Sequence, residues 1–434
     1  MHSESDPIPV VIEEPAEQTR NFIALAMQQI LLRIAWIFKT ETVIMPAFVD
    51  SIAGPAWVRG FLPVLNRLSQ SVVPALLAGP LARKPQKKSW MTAATVLMGV
   101  PFIILAILWT QYSDTRPAWL AIVFLILYSL FFAVNGTNIL VFGVLQGKLL
   151  RPQVRGRLLG VSGFLGSFGA VLCAWWLLPG WMDRPDGGFS LIFTFTGVGF
   201  IVSGLCGLFV VEENDQQDPL AVAPTGQLAE VWAAIRETPD FRRLIVVAML
   251  VMTVQLLFPH YQALAREKLG ATHSEMWFWV VAQNAAVGVF SWFAGWVADR
   301  RGNRLAIVYQ TFFAAFTPLL AVVLVHMNAA EGLRYYWLVF VMLGFTPVTM
   351  KTLINYTLEL TPRERHPRFL STLHLSLAVP FLASPLFGYV IDLVGFEPVF
   401  IFTSALIALG VVFAVRLPEP RDGASPIRSA SAGS

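Results

Sequence analysis

Residues 119–134 read WLAIVFLILYSLFFAV, sixteen positions without a charged side chain. About 20 apolar residues in a helix cross the roughly 30 Å hydrocarbon core of a membrane. Similar runs recur along the chain, where hydrophobic residues make up 56% of the 434 positions and charged residues only 13%. Soluble proteins carry about 25% charged residues, so half that share is too little for a wettable globular surface. The composition therefore predicts a membrane protein.

Twelve apolar segments are long enough to be transmembrane helices. We predict spans at residues 21–52, 56–82, 89–110, 117–147, 157–179, 189–211, 241–264, 275–299, 303–327, 334–360, 369–392 and 398–417. The hydrophilic stretch 212–240 separates six spans from six, and its residues 228–237 fit a short surface helix. The predicted fold is an all-α membrane protein with two six-helix bundles, 21–211 and 241–417. Disordered tails are expected at 1–20 and 418–434.

Lysine and arginine are distributed unequally between the two sets of predicted loops. One set carries six, the other set together with both tails carries 21, and four lie inside spans, which accounts for all 31. Because cytoplasmic loops are enriched in these residues, both termini are expected in the cytoplasm. The expected location is the cell (inner) membrane. The acidic N-terminus lacks the basic region of a secretory signal.

Two kinds of basic turn are repeated between the halves. Residues 79–88 read GPLARKPQKK after span two, and residues 295–304 read GWVADRRGNR after span eight. Turns with the pattern Pro-x-x-Arg follow spans four and ten, at 152–157 and 362–366. Two related halves are typical of transporters built from repeats.

With these turns the sequence resembles the major facilitator superfamily, whose motif G-x-x-x-D-R-x-G-R-R is similar to residues 295–304. The resemblance covers residues 21–417. It implies alternating access around a midplane cavity lined by spans one, four, seven and ten. It also implies a conformational latch that forms in one of the two states, with the residues Gly295, Asp299, Arg300 and Arg304. The N-half copy has Arg83 at the acidic position, so only the C-half copy is intact.

Ionisable residues inside spans are costly to insert and are the first functional candidates. They are Arg33, Lys39 and Glu41 in span one, Arg67 in span two, and Lys351 and Glu359 in span ten. An antiparallel hairpin that turns near residue 54 places Glu41 level with Arg67, so we predict an ion pair that either fixes the helices or couples transport to protons. In an ideal helix Lys39 and Glu41 point about 160° apart, so no pair is expected between them.

Basic residues outnumber acidic ones within the spans, and a positively charged cavity attracts anions. We therefore expect a small polar cargo, an organic anion, with Lys351 as the first candidate for contact. The predicted substrate-binding residues are Arg33, Lys39, Asn135, Asn138, Gln255, Lys351 and Asn355. The amides also fit a role in helix–helix hydrogen bonding. The small residues of span five, Gly160, Gly163, Gly166 and Gly169, are expected to pack against a neighbouring helix.

The sequence has no phosphate-binding loop and no hydrolase motif, so we expect neither an enzyme nor a cofactor. The expected partners are a small-molecule substrate and membrane lipids, with proton coupling left open, no nucleic acid, and a monomeric state. Two alternatives remain: a proton-coupled multidrug efflux antiporter, and a receptor or scaffold with a transporter fold but no turnover.

Overall fold

The computed structural model describes residues 15–52, 55–82, 84–214, 233–236, 238–361 and 365–420. The two tails and most of the linker lie outside the described residues, and so does most of the surface helix predicted at 228–237. The basic turn after span ten is described only from residue 365 onward, and Arg83 is also outside.

Ten helices in the described part of the chain are long and apolar enough to cross a membrane. They correspond to predicted spans three to twelve: Lys88–Tyr112, Trp119–Leu149, Val154–Met182, Phe189–Phe209, Pro239–Leu269, His273–Arg301, Asn303–Val325, Ala329–Leu360, Arg368–Val394 and Phe396–Val415. The all-α membrane fold is thus confirmed, and the structure is consistent with twelve spans.

Three of these spans are interrupted near their centres. Span seven consists of Pro239–Met252 and Phe258–Leu269, joined by a 3-10 turn at Thr253–Leu257. Span ten consists of the short helices Ala329–Tyr335 and Trp337–Leu343 followed by Phe345–Leu360, and span eleven of His366–Phe381 and Ser384–Val394. Such breaks are tolerated in a membrane where neighbouring protein or a cavity surrounds the freed backbone groups.

Span one, predicted as a single span at residues 21–52, is also broken. It consists of Pro15–Ile37 and Ile44–Ile52, and the residues between them form turns. Thr40 starts the second helix, because its hydroxyl accepts a hydrogen bond from the Ile44 amide at 3.2 Å and its carbonyl accepts one from the Met45 amide at 3.0 Å. Pro46 then lies in the first turn, where a missing N–H carries no penalty. Span two consists of Ala56–Arg59 and Phe61–Ala82.

The two halves are joined tightly at one end, which we call the closed end. There span one ends at Ile52 and span two begins after Pro55, while spans seven and eight and spans eleven and twelve are connected around residues 270–272 and 395. A Cβ atom added at Gly60 would lie 2.6 Å from the carbonyl oxygen of Ser384, and one added at Gly388 would overlap the carbonyl oxygen of Ala56. Spans two and eleven therefore pack backbone against backbone at this end.

The halves separate at the opposite end, which we call the basic end because it carries the basic turns after spans two, four and eight. Spans five and eight touch near the closed end, where the Trp175 and Trp277 rings are 5.2 Å apart. Farther along the same helices, a Cβ atom added at Gly160, Gly163 or Gly288 would meet nothing within 4 Å. The two spans thus diverge towards the basic end.

The small residues of span five serve two purposes. Added Cβ atoms at Gly166 and Gly169 would lie 3.0 Å from side chains of Arg33 and Ile34, so these two glycines pack against span one as predicted. Gly160 and Gly163 instead face open space. The prediction of helix packing is correct for one half of the stripe and wrong for the other.

Candidate substrate cavity

A cavity lies between the halves and continues from the basic end to the middle of the molecule. Its outer part has a volume of about 780 Å³ and is lined by spans one, five, eight and ten. Its inner part, of about 410 Å³, is lined by spans one, two, seven, eight and ten. Both parts share the lining residues Arg33, Asn284, Val287, Pro347 and Lys351, so the two volumes adjoin.

The ionisable residues that line this cavity are mostly cationic. Arg33 and Lys351 line both parts, and Arg67 and Glu41 line the inner part. Within the described residues, no other Asp, Glu, Lys, Arg or His lines either part. Three positive groups from three different spans thus face one carboxylate.

Arg33 connects the halves at the shared boundary of the two parts. Its Nη2 atom donates a hydrogen bond to the side-chain oxygen of Asn284 at 3.2 Å. Asn284 in turn donates to the Val280 carbonyl at 2.8 Å, which fixes the orientation of its amide. The contact therefore holds the Arg33 guanidinium at the cavity wall.

Lys351 lies on span ten with its side chain exposed to the cavity. The described residues give its ammonium group neither a hydrogen bond nor an ion pair. A cation at membrane depth without a counterion is energetically costly. Lys351 is therefore a cavity cation whose charge the described residues leave without a counterion.

Lys39 and Glu41 form an ion pair with an Nζ–Oε1 distance of 3.1 Å. The expectation that these residues cannot pair is wrong, because span one breaks after Ile37 and the ideal-helix angle does not apply. Lys39 is 0% exposed and does not line the cavity. Its ammonium lies 3.7 Å from the centroid of the Trp36 ring and 4.5 Å from that of Phe132, in an arrangement suited to cation–π attraction.

The ion pair expected between Glu41 and Arg67 is not formed within the described contacts. Both carboxylate oxygens of Glu41 instead accept hydrogen bonds from the Asn66 amide, at 2.9 and 2.8 Å. Arg67 donates to Gln255 of span seven at 2.8 Å. The predicted depth is correct to within one residue, but adjacent helical residues point about 100° apart, so only Asn66 faces Glu41.

The remaining predicted substrate residues divide between the cavity and the helix core. Gln255 lines the inner part, whereas Asn135, Asn138 and Asn355 do not line either part. Asn138 accepts a hydrogen bond from Thr95 at 2.7 Å and so links spans three and four. Asn135 is buried, and its amide nitrogen has no hydrogen-bond partner within the described residues. Asn355 is exposed.

Span eight supplies cavity residues that the sequence reasoning missed. Gln283 accepts a hydrogen bond from the Thr42 hydroxyl at 2.5 Å, and its neighbour Asn284 holds Arg33. The signal was present as two adjacent amides inside an apolar span. The family resemblance implies a cavity lined by spans one, four, seven and ten, and span eight lies outside that set.

The residues of the predicted latch lie at the basic end and make contacts within the C-terminal half. Arg304 donates to the Val415 carbonyl at 2.6 Å, and the Arg300 guanidinium lies 4.7 Å from the centroid of the Trp296 ring. Asp299 is exposed in the last turn of span eight. A Cβ atom at Gly295 would meet nothing within 4 Å, so the close helix approach expected at this glycine is absent from this state.

Two six-helix halves around a central polar cavity are typical of a membrane transporter fold. Residues 60–356 and 244–432 match the family model of the Major Facilitator Superfamily. The chain therefore belongs to the major facilitator superfamily and is a multi-pass membrane transporter of that family.

Solved structures of other transporters share this fold at low sequence identity. A D-xylose–proton symporter has a TM-score of 0.70 at 13% identity, with 92% of this chain and 98% of that chain covered. The nucleoside transporter NupG has a TM-score of 0.69 at 10% identity, with 91% and 99% covered. A bacterial homologue of the human lysosomal transporter Spinster, in an inward-facing and unoccupied conformation, has a TM-score of 0.62 at 13% identity, with 93% and 96% covered. No curated protein matches this chain significantly in sequence.

Proposed function

We propose that the protein is a secondary transporter that carries a small organic anion by alternating access. The observation that carries this proposal is the charge of the cavity, where Arg33, Arg67 and Lys351 face one carboxylate, Glu41, among the described lining residues. Glu41 is already neutralised by its ion pair with Lys39, which is buried outside the cavity. The cavity therefore has an excess of positive charge in a region of low dielectric constant, which favours anions and excludes cations.

The direction of opening supports alternating access. Basic loops are retained in the cytoplasm, so the basic end is assigned to the cytoplasmic side and both termini to the cytoplasm. The cavity opens towards this end, and the closed end faces away from it. The structure then corresponds to an inward-open state, and transport requires the closed end to separate while spans five and eight come together.

Glu41 is the natural place to look for proton coupling. It is the one carboxylate among the described lining residues, and it lies at the break of span one where a conformational change can alter its contacts. Protonation would remove the attraction to Lys39 and free that buried ammonium group.

Transport of radiolabelled solutes into proteoliposomes, grouped by charge, tests the proposal. We expect uptake of at least one organic anion by the wild type and a loss of about tenfold or more in apparent affinity in Lys351→Gln, because a hydrogen bond to a charged group is removed. Lys268→Gln is the matched control: this lysine is at the closed end, 3.9 Å from Glu397 and outside the cavity.

Three outcomes would contradict the proposal. Uptake confined to lipophilic cations would favour a multidrug efflux antiporter. A protein that folds and reconstitutes but moves no solute of any charge would favour a receptor or scaffold. Equal losses in Lys351→Gln and Lys268→Gln would remove the cavity lysine from the mechanism.

A further inference from the structure

The outer part of the cavity has two chemically different regions. Its cationic groups, Arg33 and Lys351, lie where it meets the inner part. The wall contributed by span five carries the apolar side chains Leu159, Phe164 and Phe168. A small hydrophilic anion would fill the first region and leave this apolar wall in contact with water.

The apolar wall also lies beside an opening between spans five and eight. Phe164 and Phe168 line the cavity, yet their side chains are 72% and 60% exposed. Gly163 and Gly288 leave empty space on the two facing helices, whereas Trp175 and Trp277 close the gap farther along. The cavity is thus continuous with the surface that faces the hydrocarbon of the bilayer.

We propose that the substrate is an amphipathic organic anion with one acidic head group and an unbranched apolar chain. The head group lies between Arg33 and Lys351, with the Asn284 amide beside it. The chain extends along Leu159, Phe164 and Phe168 through the opening between spans five and eight. This inference rests on the proposed anion transport and narrows its substrate class.

Burial of each methylene group in an apolar site is expected to raise the affinity about threefold to fourfold. Binding of straight-chain carboxylates from acetate to dodecanoate is therefore measured at equilibrium with the protein in lipid nanodiscs. For the wild type we expect a steady rise in affinity with chain length. Lys351→Gln should weaken binding of every member by a similar factor, because it removes a contact with the head group alone.

Gly163→Leu tests the position of the chain. The added side chain has room, since a Cβ atom at Gly163 meets nothing within 4 Å, and it fills the opening. We expect this variant to keep its affinity for acetate and to lose the dependence on chain length. Gly180→Leu is the matched control: it lies on the same span, is equally open, and lines neither part of the cavity. Partitioning of the carboxylate's apolar chain into the lipid is the same for both variants, so it cannot produce a difference between them.

The outcomes separate this inference from the proposed function. If short anions bind and are transported but chain length has no effect, the amphipathic substrate is wrong and anion transport stands. If Gly163→Leu retains the full dependence on chain length, the chain does not lie between spans five and eight. If dodecylammonium binds as tightly as dodecanoate and Lys351→Gln leaves both unchanged, the anionic head group is wrong and the proposed function fails with it.

Discussion

At the closed end, the carboxylate of Asp50 in span one accepts a hydrogen bond from Gln262 at 2.7 Å and forms an ion pair with Arg266 at 3.0 Å, both from span seven. Arg59 adds a third contact from its own half. At the basic end, Gly160 on span five and Gly288 on span eight face empty space across the cavity. The closed end thus combines backbone packing with a few directed polar contacts between the halves, whereas these small residues of the basic end make no contact across the cavity.

This difference has a consequence for how the two states exchange. Polar contacts that link the halves can be broken one at a time, and each contributes to the free energy that favours closure at that end. A ligand shifts such an equilibrium only through a different affinity for the two states. The Asp50 contacts are therefore a bias that substrate binding has to overcome, and changing them should alter the population of states without touching the cavity.

Of the changes at the two ends, removal of Asp50 should have the largest effect on closure. Asp50→Ala removes the buried carboxylate that Gln262 and Arg266 contact from the other half, and leaving buried polar groups without partners costs about 1–3 kcal/mol. We expect the closed end to open in most molecules. The change is measured by alkylation of a cysteine introduced at a buried position of that end, Ala263→Cys. The native cysteines are first removed by Cys173→Ser and Cys206→Ser.

The control for this prediction is Asp240→Asn, which removes an exposed pair with Arg243 within one helix turn. Exposed pairs contribute little to stability, so alkylation at position 263 should not change. If Asp50→Ala alkylates as slowly as the wild type while eluting as a folded monodisperse protein, the Asp50 contacts do not hold the halves together.

An added methyl group should lower the stability of the protein at the closed end but not at the basic end. In Gly388→Ala the new Cβ atom overlaps the Ala56 carbonyl, and overpacking of this kind costs about 1–3 kcal/mol. In Gly160→Ala the Cβ atom meets nothing, so this state should lose no stability. Thermal unfolding in detergent is expected to show a lower midpoint for Gly388→Ala alone. Equal midpoints would mean that the backbone contact between spans two and eleven does not stabilise this state.

Much of the fold and part of the site could be predicted from the sequence. Long apolar runs specify helices that cross a membrane, because no other single-chain segment satisfies its own backbone there. Arg33 and Lys351 were recognisable as cavity residues for a related reason, since a charge inside such a run must avoid the lipid. Spans one and ten meet only in the tertiary structure, but the requirement to avoid lipid already predicts that their charged side chains face the interior of the protein.

The details that were missed depend on local breaks and on partners far away in the chain. The pairing of Lys39 with Glu41 requires the helix to end at Ile37, and the signals were Thr40 as a cap with Pro46 in the following turn. Asn138 was predicted to meet substrate, but its partner is Thr95 on another span. An amide in an apolar segment serves a ligand or a neighbouring helix equally well, and one sequence does not distinguish between them.

The smallest of the expected effects concerns the second carboxylate at the closed end. Asp392 of span eleven accepts hydrogen bonds from the backbone amides of Ala56 and Trp57 at 2.8 and 3.2 Å, and so caps a short helix of the other half. Loss of a cap costs about 1 kcal/mol, so Asp392→Ala should raise alkylation at position 263 only about fivefold. Asp392→Asn keeps an oxygen acceptor and should restore much of the wild-type protection. If the asparagine variant is as accessible as the alanine variant, the negative charge of Asp392 holds this contact, and closure at this end depends on electrostatic attraction more than on hydrogen-bond geometry.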